Sequence, residues 1–201
     1  MALTPSTQGT TLGARTPINV TRLAMWKITE GTSSDTYGSV IDFDKRFMTY
    51  DDNLSSASAQ LYGCGELMDT VTKPTQGAII YNIHALKASE RAAIFGETVS
   101  SDTATLKGTE ISPYLVCAHA EELPNGHWNL YKYYKVQFQP GQISAQQVDG
   151  NNVTFSTTSL AGTYIKNGRV GKMRDIKFDV DPTTDEGSAA IEAWFTTAVP
   201  S

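Results

Sequence analysis

The clearest alternation of apolar and polar positions lies at residues 111–141, ISPYLVCAHAEELPNGHWNLYKYYKVQFQPG, where two apolar-rich runs flank Pro124-Asn125-Gly126. Asn-Gly between alternating runs is the strongest short-range hairpin signal, because both central residues of a type I′ turn take positive φ. In the return arm Trp128, Leu130, Tyr134, Val136 and Phe138 alternate with Asn129, Tyr131, Tyr133, Lys135 and Gln137. A period of two puts the first set on a buried face and the second on a wetter one. Lys132 falls on the apolar side, which predicts an edge position or a stem that snorkels to water.

The same reading extends along the chain. Residues 1–18 are rich in Thr, Gly, Ser and Pro with few apolar groups, so they read as an extended arm ordered only by a partner. Residues 19–201 read as one β-rich domain. A strand is predicted at 20–29, a turn-rich loop at 30–38, and a charge-laden strand at 39–50. Asp51-Asp52-Asn53 to residue 58 reads as a polar loop. Short strands follow at 59–62, 67–72 and 77–86, with a bend at Gly63-Cys64-Gly65 and a turn at Pro74. KASERAAIF at 87–95 predicts a short helix stopped by Gly96, with Ala88, Ala92 and Phe95 as its apolar stripe.

A Ser/Thr-rich loop is predicted at 98–105. Beyond the central hairpin, 142–148 and 153–165 read as a second hairpin around Asp149-Gly150-Asn151-Asn152, and Asn167-Gly168 as a turn into a strand at 173–180. The chain ends in a predicted helix at 185–197. Ile191, Trp194, Phe195 and Ala198 share one face of it, and Thr184 is its N-cap. Mostly antiparallel strands with two short helices predict a mainly β fold, a β-sandwich or barrel.

Composition narrows the function classes. A hydrophobic share of 40% supplies a core, and a formal net charge of −5 argues against a protein that neutralises many phosphates. Cys64 and Cys117 are too few for a disulfide framework and lack metal-site spacing. The N-terminus lacks the charged and apolar regions of a secretory signal, and no run is long enough to span a bilayer, so a soluble protein made in a cytoplasm is expected.

Candidate chemistry is sparse. No GxSxG, phosphate-binding Gly loop or metalloprotease His-Glu pair is present. His84, His119 and His127 stand singly on strands or beside a turn, where a packed or hydrogen-bonded histidine is the ordinary reading. Asp51-Asp52 lacks the ligand spacing of a calcium loop. Glu121-Glu122 would face opposite ways on a strand and so cannot flank one substrate. Tyr131 and Tyr133 share a face, and with Trp128 and Tyr134 they raise a sugar- or base-stacking platform. Lys166, Arg169, Lys172, Arg174 and Lys177 read as a solvated basic hairpin able to meet an acidic patch on another copy.

An ordered set of segments carries a resemblance. VTRLAMWKIT, AQLYG, AIIYNIHALKASERAAIFGE, PYLVCAHAEELPNGHWNLYKYYKVQFQP and VTFSTTSLAGTYI, spread over residues 20–195, together resemble the phi13-type major tail proteins. These form the tail tube of long-tailed, non-contractile phages. The chain departs from the family pattern at Gly63-Cys64, where the family usually has Ala and an acidic residue. The immunoglobulin-like domain that some relatives carry at the C-terminus is not expected, the sequence reaching residue 201 straight after its predicted helix.

The resemblance implies a structural virion protein and no enzyme. Its fold would be tail-tube-like, and its copies would close into hexameric rings that stack into a conduit for DNA. Implied partners are other copies of the chain, a tape-measure protein, a tail terminator and distal tail proteins. DNA would pass through the lumen without specific binding; no membrane and no cofactor, metal or catalytic residue is implied. The assembly residues assigned on length and polarity are Thr4, Thr10 and Arg15 in the arm, Asp51 and Asp52 in the polar loop, and Asn125-Gly126 at the hairpin tip. Two other classes remain open: a carbohydrate-binding β-sandwich built on Trp128 and the tyrosines, and a hydrolase built from Glu121, Asp51 or His119.

Overall fold

The computed structural model describes residues 16–43, 45–64, 66–101, 103–140 and 157–199. Within them the chain runs β1 (Asn19–Thr29), β2 (Thr36–Tyr37), β3 (Ile41–Asp42), β4 (Phe47–Gly63), β5 (Glu66–Ile83), α1 (Ala88–Phe95), β6 (Thr98–Ser100), β7 (Thr103–Thr105), β8 (Tyr114–Glu122), β9 (Trp128–Phe138), β10 (Thr158–Tyr164), β11 (Arg174–Val180) and α2 (Asp185–Thr196). The expected mainly β, antiparallel architecture with two short helices is therefore what the chain adopts. The turn at 149–152 and the first arm of the predicted second hairpin lie outside the described residues; its second arm is β10.

One sheet organises the molecule in the order β2-β1-β8-β9-β10-β5-β4, with β11 added to β9 and β3 added to β1. Because β3 precedes β4 by one turn and pairs back onto β1, the sheet curls toward closure. The interior of that curl is filled by Leu23, Met25, Phe43, Ile79, Tyr81, Cys117, Phe138 and Leu160, all without solvent exposure. α1 contributes Ile94 and Phe95 to the same core. A second core lies on the far side of β1, β8 and β9, where Ile191 and Phe195 of α2, with Ala198 just beyond it, pack on Ala24, Trp26, Val116, Ala118 and Leu130. Each large side chain buried there contributes about 1.5–3 kcal/mol.

Two cores explain why β9 has no wet face. Asn129 is buried, Tyr131 half-buried and Tyr133 fully buried, whereas the alternation predicted solvent on that side. A β-bulge opposite the Leu115–Cys117 step also shifts the phase of β9. Before the bulge Leu130, Lys132 and Tyr134 lie on the side away from Tyr133; after it Val136 and Phe138 turn into the inner core. Lys132 is neither at an edge nor snorkelling. It is fully buried, donates from Nζ to the Thr197 carbonyl at 2.6 Å, and lies 5.3 Å and 5.0 Å from the ring centres of Trp26 and Trp194. Burial pulls its ammonium down to about 8. The carbonyls left open at the end of α2 and the two indole faces are the groups that hold the charge there.

Helix ends follow the sequence signals. Thr184 caps α2, its hydroxyl accepting from the Gly187 N–H at 3.1 Å, and Gly96 closes α1 at φ +76°. The buried side chains of α1 are Glu90, Ile94 and Phe95, so the expected Ala stripe is only partly its buried face. Glu90 is drawn in by Arg46, whose guanidinium donates to both carboxylate oxygens at 2.9 and 2.6 Å.

The turns are less as expected. Gly126 has φ +80°, but Asn125 does not share a positive φ, so the β8–β9 connection is no type I′ turn. The Gly126 N–H donates to Leu123 O at 2.9 Å and Leu123 N–H to His127 O at 2.8 Å. That is a β-turn with Pro at its second position followed by a left-handed Gly, the three-residue hairpin loop. The predicted loop at 98–105 folds as the small β6–β7 hairpin.

Candidate functional site

The largest departure from expectation lies in β4 and β5. Residues 51–58 are no loop; they are the middle of β4, a strand of 17 residues paired with the 18-residue β5. The predicted strands at 59–62, 67–72 and 77–86 are pieces of these same two strands. Pro74 stands opposite Ser56 beside a register shift instead of marking a turn, and Cys64, at φ +53°, takes the turn. Pro is accepted there because a β-bulge relieves its missing N–H.

Only the Gly77 end of this hairpin is packed. From Ser55 to Tyr62 on β4 and from Glu66 to Gln76 on β5 every position is exposed, so about two-thirds of β5 forms a two-stranded ribbon outside both cores. At its root the Tyr164 ring packs against Gly77, where any Cβ would stand 2.0 Å from the ring. Of the thirteen exposed large hydrophobic side chains among the described residues, six lie on β4 and β5 at or beyond this root: Leu54, Leu61, Tyr62, Leu67, Met68 and Val71. Register puts Ala59 opposite Val71 and Tyr62 opposite Leu67, so apolar pairs face each other along the ribbon. β4 also ends the strand order, which leaves its outer main-chain groups open.

Asp51 and Asp52 part company on the strand. Asp51 is exposed, opposite Ile80. Asp52 points inward and accepts from Tyr133 Oη at 2.9 Å, Tyr164 Oη at 2.7 Å and the Arg174 guanidinium. Burial and the Asp52 carboxylate push both tyrosine hydroxyls up. This cluster ties β4 to β9, β10 and β11 just below the ribbon, so Asp52 anchors the arm and its oxygens are already used. It is not a polar group offered to a neighbour.

A second inward carboxylate belongs to Glu121, which accepts from Tyr50 Oη at 2.5 Å and Tyr131 Oη at 2.8 Å. Burial together with the Glu121 bond pushes Tyr131 up to about 12. Glu122 faces the other side of β8, as adjacency predicts. His119 lies wholly inside the curl, stacked on Tyr131 at 4.8 Å, with Nδ1 3.1 Å from Tyr81 Oη and Nε2 without a partner. Burial lowers it to about 3, so the ring is neutral. The structure thus brings His119 and Glu121 onto one face and sets Asp51 on the opposite one. Of the side chains expected as a stacking platform, Tyr131 and Tyr133 stack on His119 at 4.8 and 5.7 Å inside the core, and Tyr133 also meets Tyr164 edge-on at 4.9 Å.

The remaining candidates resolve locally. Arg169 pairs with Asp35 at 2.8 Å, Lys172 with Asp175 at 2.7 Å and Arg174 with Asp52, so three members of the basic cluster are spent within the chain. His127 stands beside the hairpin loop with Nδ1 2.7 Å from Asp179. Asn125 accepts from the His127 N–H at 3.1 Å, and the Asn125-Gly126 tip is exposed. Cys64 is exposed at the ribbon tip and Cys117 is buried. Thr4, Thr10 and Arg15 lie outside the described residues; Ile18 is tied to β8 by its N–H to Glu122 O at 2.9 Å.

A cavity of about 540 Å³ opens beside β9 and β11, lined by Pro17, Leu123, Asn129, Tyr131, Phe178 and Asp179. Its polar groups are engaged, the Asp179 N–H donating to Asn129 Oδ1 at 3.1 Å and Tyr131 Oη to Glu121 at 2.8 Å. Among the described residues no three His, Cys, Asp or Glu side chains are grouped to hold a metal, and no helix is long and apolar enough to cross a membrane. Compared with known proteins, the chain matches no family model and no curated protein sequence.

Proposed function

We propose that this chain is a self-assembling structural protein, the major tail-tube protein of a long-tailed phage, whose copies close into rings that stack into a conduit for DNA. The observation that carries the reading is the β4–β5 ribbon. A two-stranded hairpin is at best marginal in water on its own. Here one projects with five large apolar side chains, a sixth at its root, and an open strand edge. Such an edge is a template for pairing with another chain, and soluble proteins blunt it unless they use it. Closed rings of identical copies supply the missing strand and the missing apolar cover at once.

The ordered resemblance over residues 20–195 favours the tube over other homo-oligomers. Hexamer number, stacking on a tape-measure protein, contacts with terminator and distal tail proteins, and a place in the virion tail follow from that resemblance as parts of the proposal. An acidic chain of net charge −5 suits a channel that a polyanion crosses without holding.

Negative-stain electron microscopy of the purified protein tests the reading directly, with rings or tubes expected. A variant in which residues 57–72 are replaced by a two-residue Asn-Gly turn should remain folded, because both cores lie outside that segment. It should stay a single chain at concentrations where the parent assembles. A parent that remains a single chain throughout, or a shortened variant that still builds tubes, would end the account.

A further inference from the structure

Asn is followed by Gly twice in this chain, at Asn125-Gly126 and at Asn167-Gly168. Glycine leaves its main-chain nitrogen unshielded, so that nitrogen can approach the side-chain amide carbon of the Asn before it. The glycines do not tell the two pairs apart, since a Cβ added at either would meet nothing within 4 Å. The asparagines do. Asn167 is only 3% exposed; its Nδ2 donates to Tyr134 O at 3.3 Å, and its Oδ1 accepts from the Arg169 N–H at 2.9 Å and the Val170 N–H at 3.2 Å. Its main chain is closed as well, the N–H donating to Lys172 O at 2.9 Å and the carbonyl accepting from the Gly171 N–H at 2.8 Å. That amide cannot swing toward Gly168 without breaking a buried network.

Asn125 stands at an exposed tip. Its Oδ1 accepts from the His127 N–H at 3.1 Å, and its Nδ2 donates to Asp179 Oδ1 at 3.4 Å. The Gly126 N–H is held by Leu123 O at 2.9 Å, so the nitrogen is freed when the loop opens. An exposed three-residue loop is where such opening is easiest. Across the tip, Asp179 holds φ +57°, the left-handed region that a side chain disfavours. It is pinned there by its N–H to Asn129 Oδ1 at 3.1 Å and by its carboxylate to His127 Nδ1 at 2.7 Å and to Asn125 Nδ2. The register of β11 on β9 shifts at the same place, between Lys177 and Val180.

We propose that Asn125-Gly126 is a self-modifying site that converts in the folded chain to aspartate and isoaspartate, and that the product unpins Asp179 at the end of β11. The Gly126 nitrogen gives its proton to water or hydroxide and bonds to Asn125 Cγ. The Cγ–Nδ2 bond breaks, and Nδ2 leaves as ammonia with a proton returned from water. A water molecule then opens the cyclic imide at either carbonyl. One opening gives aspartate; the other leaves the main chain running through Cγ, one carbon longer. Either product puts a carboxylate beside Asp179 in place of a neutral amide, and the Nδ2 donor is gone. Like charges then meet where a hydrogen bond stood. The chemistry belongs to the single chain and holds whatever the copies build.

The test incubates the single chain in mildly alkaline buffer, digests it with pepsin in acid, and reads amide-to-acid conversion by peptide mass. The Asn125 peptide should convert at least about tenfold faster than the Asn167 peptide, because one extra hydrogen bond of ordinary net strength slows a rate by roughly that factor. It should give two products of equal mass, aspartate and isoaspartate. In chain held unfolded by denaturant the two peptides should convert alike. Conversion of Asn167 as fast as Asn125 in the fold, no conversion of Asn125 over times at which the unfolded chain converts, or the same gap in the unfolded chain would each overturn the site. In a second arm Asn125→Asp supplies one product directly. Amide exchange at residues 174–181 should be faster in this variant than in the parent, with residues 114–122 unchanged. Parent-like exchange at 174–181 would overturn the unpinning of Asp179.

Discussion

His119 shows at single-residue scale how this fold spends polarity. A histidine with one nitrogen bonded to Tyr81 and the other unpartnered sits among Phe47, Tyr50, Tyr131 and Tyr133, at full burial. Folding keeps it neutral down to about pH 3, while the unfolded chain takes up its proton near 6.5. Between those values the unfolded state binds more protons, so stability rises with pH through the window and is lost as pH falls through it. The loss has a limit on the order of 5 kcal/mol for one such group. His119→Phe removes the titration but leaves the Tyr81 hydroxyl without its partner, a cost of about 1–3 kcal/mol. Denaturant melts at pH 7 and pH 4 should therefore show the variant weaker than the parent at pH 7 and losing less on acidification. Equal losses in both proteins would mean that the ring is hydrated or charged in the fold.

At the scale of elements, the β8–β9 connection corrects an intuition about Asn-Gly. Only Gly126 occupies the left-handed region, so Gly126→Val should cost about 1–2 kcal/mol through steric strain. Asn125→Val should cost less, since Asn125 gives up only a bond to the His127 N–H and a longer one to Asp179. Thermal unfolding of the two single variants checks the order. A type I′ turn would have made them similar.

The same hairpin shows what was legible in the chain. Alternation in β1, β8 and β9, the caps at Gly96 and Thr184, and the α2 face are all local signals that burial enforces. The partition of β9 was not legible. A period of two predicts one wet face, but Tyr131 and Tyr133 on that face turn into the curl against Tyr50, Asp52 and Tyr164 of β4 and β10, and a bulge resets the phase at Tyr134-Lys135. Lys132 was misplaced for the same reason: its partners Trp26 and Thr197 come from the two ends of the chain. The ribbon was hidden more completely. A strand with water on both faces needs no apolar alternation, so Asp51 to Ser58 reads as loop chemistry although it is paired throughout.

For the whole molecule, the two cores and the ribbon should differ in how much of their stability is their own. β8 is hydrogen-bonded on both edges and buried on both faces, so its amides should open only with global unfolding. Residues 55–62 and 66–76 have one partner strand and water on both faces, and they should open at a small fraction of that free energy in the single chain. Assembly of the proposed kind should change the second number and leave the first nearly alone, because a neighbour would add strand pairing and apolar cover where both are lacking. Amide hydrogen exchange followed by mass spectrometry should thus find ribbon peptides exchanging within the earliest times in dilute protein and strongly protected in tubes. Peptides from β8 and β9 should be protected alike in both. Slow ribbon exchange in dilute single chains would show that the hairpin is stable by itself, and with that the physical reason for seeking another copy would be gone.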